Sequence, residues 1–350
     1  MPGPIVHINL SKSFRGGERQ TELLIRGLAG RGHAQRLVAR AGAPLAERFH
    51  DLPELDVRPV RGLLGAARAC GRDSVLLHAH EGRAPLAAAL VRLCVGTPYV
   101  ITRRVTRALK RNPVTRHNHR RAARVVAISR SVADELATWD PGLRVDVIPS
   151  ALAHLPSGPE AVAVLREKYA GRFVVGLIGA LVTRHKGQDL LIEVARRVQH
   201  THPDLLFVLV GDGEDAARLH RQSRDLPNVE LTGFVADVGS QLAAFELVTL
   251  PSREEGLGSV LLDAMDYGKA IVAARAGGIP ELVTDGANGL LVTPGSADEL
   301  QRAILTLHQD RARLAAMGER GRVRAGLHTP ARMVERYVGL YGEVQGETRA

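Results

Sequence analysis

Aromatic residues are scarce in this 350-residue chain, with Phe, Tyr and Trp together making up 3%. A core poor in rings must be built from Val, Leu, Ile and Ala, which suits parallel sheets covered by helices on both faces. Cysteine is scarcer still. Cys70 and Cys94 form no Cys-x-x-Cys pair and are too few for a disulfide framework or a thiolate zinc site. The apolar run Phe173 to Thr183 falls far short of the ~20 apolar residues that a membrane span needs. The opening Met1-Pro2-Gly3-Pro4-Ile5 puts no basic lead before an apolar stretch, so no signal peptide is read there. A cytoplasmic protein is expected.

Acidic residues are short in one part only. Residues 1–150 hold 25 Lys+Arg against 12 Asp+Glu, or +13, while residues 151–350 hold 22 against 25, or −3. The densest stretch is Arg103, Arg104, Arg107, Lys110, Arg111, Arg116, Arg120, Arg121 and Arg124, with no carboxylate among them. Such a stretch is either a solvated face of an arginine-rich chain or the contact for a polyanion. It lacks interleaved aromatics and any recognition motif, so nucleic acid is not expected as a partner.

What is present is a steady alternation of short apolar runs with amphipathic stretches, the mark of α/β architecture. Strands are predicted at 5–9, 36–39, 74–79, 99–102, 125–128 and 145–148. A turn is predicted at Gly16-Gly17, a helix over 18–31, and a helix over 132–138 capped by Ser129. Residues 150–171, with Pro156, Gly158 and Pro159, read as a junction. The alternation then restarts, with strands at 173–179, 205–210, 229–232, 247–250, 270–273 and 289–292 and helices at 188–200, 214–222 and 260–267. Two successive open α/β units follow from this. In the last segment Met333, Val334, Tyr337, Leu340 and Tyr341 recur at helical spacing and must pack on something.

The stretch richest in chemistry is Pro251-Ser252-Arg253-Glu254-Glu255-Gly256-Leu257-Gly258-Ser259, running from a strand through a glycine turn into a helix. Backbone N–H groups at such a helix start make an anion site. Glu255 stands before the turn and Asp263 about two helical turns inside. Carboxylates accept hydrogen bonds from sugar hydroxyls well. Acidic residues also stabilise a helix N-terminus, which accounts for Glu254 and Glu255 but not for Asp263.

Glu255 and Asp263, inside a Pro-Ser-x-x-Glu-Gly-x-Gly frame, resemble the signature of the group 1, family 4 retaining glycosyltransferases. Ala273–Val283 and Asp285–Val292 are similar to the next two blocks of that family. The resemblance implies the GT-B architecture of two facing Rossmann-like domains with a cleft between them. Residues 1–152, with a crossover helix at 330–350, would form the acceptor side, and residues 153–329 the nucleotide-sugar donor domain. It implies retention of configuration, no metal, and no cofactor beyond the nucleotide sugar itself, a UDP-sugar foremost. No His/Cys cluster at ligand spacing was found to set against that.

Residue roles follow from the same resemblance. Gly16 and Gly17 resemble the loop that lies against the donor diphosphate. His80, second in His78-Ala79-His80, would contact the transferred sugar, and His78 would serve the fold. Lys186 would hold the diphosphate, Glu255 the sugar hydroxyls and Asp263 the ribose. Phe234 and Val235 would receive the nucleobase, and Gly256, Leu257, Gly258 and Ser259 would cradle phosphate. Three departures stand out. The family's arginine after Gly179 is Ala180, for which Arg184 or His185 would substitute. Asp263 replaces a glutamate, and Ser150-Ala151-Leu152-Ala153 replaces an Asn-Gly-Val-Asp loop beside the acceptor.

Gly211-Asp212-Gly213-Glu214-Asp215-Ala216 also fits a dinucleotide fingerprint. Its three carboxylates would crowd a pyrophosphate, so a plain turn is expected. The first residues and the Thr102-Arg103-Arg104-Val105 block are similar to bacterial envelope transferases, including those of the lipopolysaccharide core. Arg103 and Arg104 are accordingly expected to bind the phosphate of a glycolipid or glycan acceptor. The basic stretch beyond them would lie at the anionic inner face of the plasma membrane. The rival readings are a non-catalytic nucleotide-sugar binder and a nucleotide-sugar epimerase.

Overall fold

A computed structural model describes residues 3–106, 109 and 112–349. The chain divides into two compact units, Met1–Ala153 with Thr329–Ala350, and His154–His328. Among the described residues no helix is long and apolar enough to cross a membrane.

The first unit holds seven strands: β1 (Ile5–Asn9), β2 (Gln35–Arg40), β3 (Asp56–Val60), β4 (Leu76–Ala79), β5 (Tyr99–Arg103), β6 (Arg124–Ala127) and β7 (Val145–Val147). They form one sheet in the order β3-β2-β1-β4-β5-β6-β7, every pair parallel. Every residue of β1 and β4 is buried, as a sheet with helices on both faces requires. The order reverses between β1 and β4. In open parallel sheets that reversal opens a crevice at the carboxyl ends of the two strands, where ligands bind.

The terminal helix Pro330–Arg349 belongs to this unit. Met333, Val334, Tyr337, Leu340, Tyr341 and Val344 are buried against Leu24, Leu28, Leu76 and Val100 in one apolar cluster. At roughly 1.5–3 kcal/mol per buried large apolar side chain, this helix is part of the core rather than a loose tail.

The second unit holds β8 (Phe173–Ile178), β9 (Leu205–Val210), β10 (Val229–Gly233), β11 (Leu247–Leu250), β12 (Ala270–Ala274) and β13 (Gly289–Val292). They pair in parallel in the order β10-β9-β8-β11-β12-β13. Here the order reverses between β8 and β11. β8, β9, β11 and β12 are buried along their whole lengths.

The structure departs from the sequence expectation in physically sensible places. β3 escaped prediction because it is a half-exposed edge strand carrying Pro59, tolerated only at an edge. Gly16 and Gly17 are not a turn but the first residues of helix Gly16–Ala29. Residues read as a junction include a full helix, Pro159–Lys168, with Pro159 in its first turn where no N–H is needed. Helix Arg130–Trp139 begins as expected, with Ser129 Oγ accepting from Val132 N at 3.1 Å.

Candidate active site

In the second unit, the loops that follow β8 and β11 meet at the point where the sheet order reverses. Lys186 ends a short helical turn after β8, and its Nζ donates to Glu255 Oε2 at 2.5 Å. Ser252 Oγ adds a second donor to the same oxygen at 3.3 Å. A bidentate pair clamps the loops: Arg253 donates to both oxygens of Asp189 at 2.8 and 2.9 Å and to the Thr183 carbonyl at 2.7 Å. Gly187, at φ +69°, makes this approach possible, since a Cβ there would run into the Pro251 carbonyl.

Helix Ser259–Asp266 starts directly beyond, with Gly258, which has no side chain to cap its first N–H groups, as its N-cap at φ +83°. Gly256, Leu257 and Gly258 are buried, while Ser259 and Asp263 are half-buried. The turn is therefore a rigid backbone surface of the kind that binds anions. Phe234, just past β10, is 77% exposed, and Val235 beside it is half-buried. Arg184 is turned outward, with its guanidinium 3.4 Å from Glu214 and its Nε donating to His185 at 3.0 Å. The carbonyl of Ala180 accepts from Gln188 at 2.8 Å.

The apparent dinucleotide fingerprint has a structural job. A side chain at Gly211 would collide with the Gly179 carbonyl, and one at Gly213 with the backbone of Leu181. Asp215 Oδ2 accepts from both the amide and the hydroxyl of Thr183 at 2.8 Å. These residues hold the β8 loop against its neighbour, so the glycines and Asp215 build the Lys186 loop rather than a second nucleotide site.

In the first unit, helix Gly16–Ala29 follows β1 and His80 follows β4, again at the reversal. Arg15 N donates to Glu18 Oε2 at 3.0 Å and closes the helix start. A Cβ on Gly17 would lie 3.3 Å from Arg104 Cδ, so the missing side chain lets Arg104 pass. Arg103 ends β5 and is half-buried. Arg104 Nε is buried without a partner among the described residues, and burial lowers the arginine's pKa. Gln20 fastens the departing loop, donating to Ala151 O at 2.7 Å and accepting from Ala151 N at 2.8 Å.

His80 is 3% exposed and sits in a cluster that the sequence did not reveal. Its Nε2 lies 2.9 Å from His7 Nδ1, and His7 Nε2 lies 3.0 Å from Gln35 Oε1. The His78 and His80 rings are 3.7 Å apart between centroids. His78 bonds Tyr341 at 2.6 Å and Thr102 at 2.7 Å, and Thr102 bonds Tyr337 at 2.9 Å. Burial holds all three rings neutral: it pulls the His7 pKa down to about 4 and those of His78 and His80 well below the ordinary value. Ligand nitrogens of the three lie within 4.8 Å of one another, a spacing that can suit a transition metal. The positive charge of Arg104 acts on His78 and His80, and His7 and His78 already have hydrogen-bond partners. Both features oppose a cation. The one clue in the sequence was strand parity, since His7 and His78 are register partners on β1 and β4.

The basic stretch is less free than its sequence suggests. Arg107, Lys110 and Arg111 lie outside the described residues. Arg116 and Arg120 both donate to the buried Asp140, at 2.9 and 2.6 Å, and together they hold its carboxyl well below the usual range. Arg124 pairs with Glu347 of the terminal helix at 2.5 Å. The carboxylates absent from the stretch itself are supplied by other elements.

Comparison with known proteins bears on the whole chain. The family model described as glycosyltransferase family 4 matches residues 14–152, and that of the group 1 glycosyl transferases matches residues 172–310. The 2-deoxystreptamine N-acetyl-D-glucosaminyltransferase of Streptomyces fradiae is 30% identical, the match covering 95% of this chain and 92% of that protein. A GDP-mannose-dependent α-(1-6)-phosphatidylinositol monomannoside mannosyltransferase of Mycolicibacterium smegmatis is 35% identical, over 49% of this chain and 51% of its own length. The Anabaena HepE structure in complex with UDP-glucose shares the fold, with a TM-score of 0.85 over 97% of this chain and all of that one at 24% identity. With two Rossmann-like units of the GT-B type, the chain belongs to the group 1, family 4 glycosyltransferases, retaining enzymes that use a nucleotide-sugar donor.

Proposed function

We propose that the protein transfers a hexose-type sugar from a nucleoside-diphosphate sugar, UDP-linked foremost, to a phosphorylated cell-envelope glycolipid or glycan such as lipopolysaccharide core. The observation that carries the donor half is the Lys186–Glu255 pair beside a glycine-capped helix start, where the second sheet reverses. Lys186 and the N–H groups at Ser259 hold the diphosphate and stabilise its charge as the bond to the anomeric carbon breaks. Glu255 and His80 hold sugar hydroxyls, Asp263 the ribose, and Phe234 with Val235 the base. The departing diphosphate takes the proton of the acceptor hydroxyl as the new bond forms on the same face. No protein base is then needed.

The acceptor half rests on the excess of basic residues in the first unit. Arg103 is assigned to acceptor phosphate. Arg104, turned inward beside Gly17, suits an anion at the start of helix Gly16–Ala29 as well as it suits the acceptor. Attachment to an anionic inner leaflet falls to cations other than Arg116, Arg120 and Arg124.

Thermal-shift titration with UDP-glucose, UDP-N-acetylglucosamine, GDP-mannose and ADP-glucose tests the donor reading, because a ligand of the folded state raises Tm by mass action. At least one should stabilise the protein more than its parent nucleotide does. Stabilisation by none of the four would sink the reading. Conversion of a bound donor to its epimer without any acceptor would replace it.

A further inference from the structure

The hydrogen bonds around His80 fix more than its position. Begin at the Ile25 carbonyl, which can only accept. Gln35 Nε2 donates to it at 3.0 Å, so the opposite end of that amide, Oε1, must be the oxygen. Oε1 can only accept, so His7 carries its proton on Nε2, 3.0 Å away. A neutral imidazole has one N–H, which leaves His7 Nδ1 bare. His80 must then donate Nε2–H to it across 2.9 Å. The last nitrogen, His80 Nδ1, is an unprotonated acceptor, buried and without a partner among the described residues. Gln35 and His7 are nearly inaccessible, at 4% and 0% exposed, so water does not scramble the order between them.

We infer that Gln35 and His7 form a tautomer relay that keeps the His80 proton on Nε2 and presents His80 Nδ1 as an acceptor for a hydroxyl of the transferred sugar. The inference rests on the proposed role of His80 towards the donor. Gln35 and His7 are positioning residues: neither touches the sugar, and both act by setting which nitrogen of His80 bears hydrogen. An unmet buried acceptor is costly, which is a reason to expect a donor group there. Arg104 Nε–H is an unmet buried donor whose charge reaches His80. A hydroxyl can donate to Nδ1, whereas a carboxylate or carbonyl would leave Nδ1 without a proton to accept.

The test uses the full chain labelled with 15N-histidine. Long-range 1H–15N correlation at neutral pH should give His80 a pyrrole-type Nε2 and a pyridine-type Nδ1, with the signal assigned by its loss in His80→Asn. His80 protonated on Nδ1 would overturn the relay whatever the activity. Calorimetry then compares UDP-glucose with UDP and GDP-mannose with GDP. His7→Phe removes the acceptor that fixes His80, and it should mix the His80 tautomers and cut the sugar-dependent gain in affinity about three- to tenfold. His7→Asn, whose Oδ1 replaces the lost Nδ1, should restore both. An unchanged sugar gain in His7→Phe would refute the relay and leave the transferase reading intact. The expected tautomer with no sugar-dependent gain in the wild-type protein would instead overturn the donor role of His80, and the inference with it.

Discussion

Lys186 Nζ and Glu255 Oε2 are 2.5 Å apart, one from the loop after β8 and the other from the loop after β11. Their charges compensate each other before any ligand arrives, in a half-buried setting where an isolated charge is costly. On the proposed donor reading, a diphosphate would offer Lys186 a stronger partner and free Glu255 to accept from sugar hydroxyls. The two substitutions should therefore differ in kind. Lys186→Ala is expected to weaken the parent nucleotide and the nucleotide sugar alike, by about 10- to 100-fold, the range of a charge-assisted hydrogen bond. Glu255→Ala should leave nucleotide affinity within a few-fold and abolish the gain from the sugar. Calorimetry of both variants against UDP and UDP-glucose reads the difference, and equal losses for both ligands in Glu255→Ala would refute the assignment.

Gly187 holds those two loops together, so it should be far less replaceable than a left-handed glycine that faces open space. Gly187→Ala places a methyl group against the Pro251 carbonyl at φ +69°, whereas Gly286→Ala, at φ +76°, meets nothing within 4 Å. Gly286→Ala should cost only the conformational strain of about 1 kcal/mol. Gly187→Ala should add a backbone displacement of similar or greater cost and also weaken donor binding. Tm and nucleotide affinity measured on the pair separate the two effects. Similar values for both variants would mean that the loops do not need to touch.

These two glycines also mark how far the sequence could be read. The Glu255 frame, the glycine turn and Lys186 were legible because local chemistry is written in consecutive residues. The strand alternation was legible for the same reason. What the sequence could not show is long-range pairing. His7 and His80 meet only because β1 and β4 are neighbours in a sheet whose order is not sequential. Arg116, Arg120 and Arg124 looked unopposed because Asp140 lies just past the end of the next helix and Glu347 near the far end of the chain. Gly211 and Gly213 imitated a cofactor motif because close backbone approach demands glycine whether the neighbour is a pyrophosphate or another loop.

Asp140 should dominate the acid limb of stability. Its buried carboxylate is gripped by Arg120 and Arg116, which lower its folded-state pKa below the ordinary 3.8. A depressed folded pKa means stability that is present above the unfolded value and lost as pH falls towards the folded one. Tm measured against pH should therefore fall below about pH 4 in the wild type. Asp140→Asn should flatten part of that fall and lower Tm at neutral pH by on the order of 5 °C, since it leaves two arginines facing a neutral amide. A neutral-pH Tm equal to wild type would show that the pairing contributes nothing to folding.

Arg103 tests the proposed acceptor site. It closes β5, the strand beside β4, so it stands at the same carboxyl edge of the sheet as His80. Arg116 and Arg120 instead turn to Asp140, so Ala substitutions there should act on Tm and leave acceptor KM nearly unchanged. Arg103→Ala should give a KM about tenfold higher for a phosphorylated acceptor, equivalent to ~1.4 kcal/mol, with donor affinity preserved. Removing the acceptor's phosphate should raise KM for the wild type and not raise it further for the variant, because both changes delete the same contact. Additive losses would place the phosphate elsewhere on the first unit.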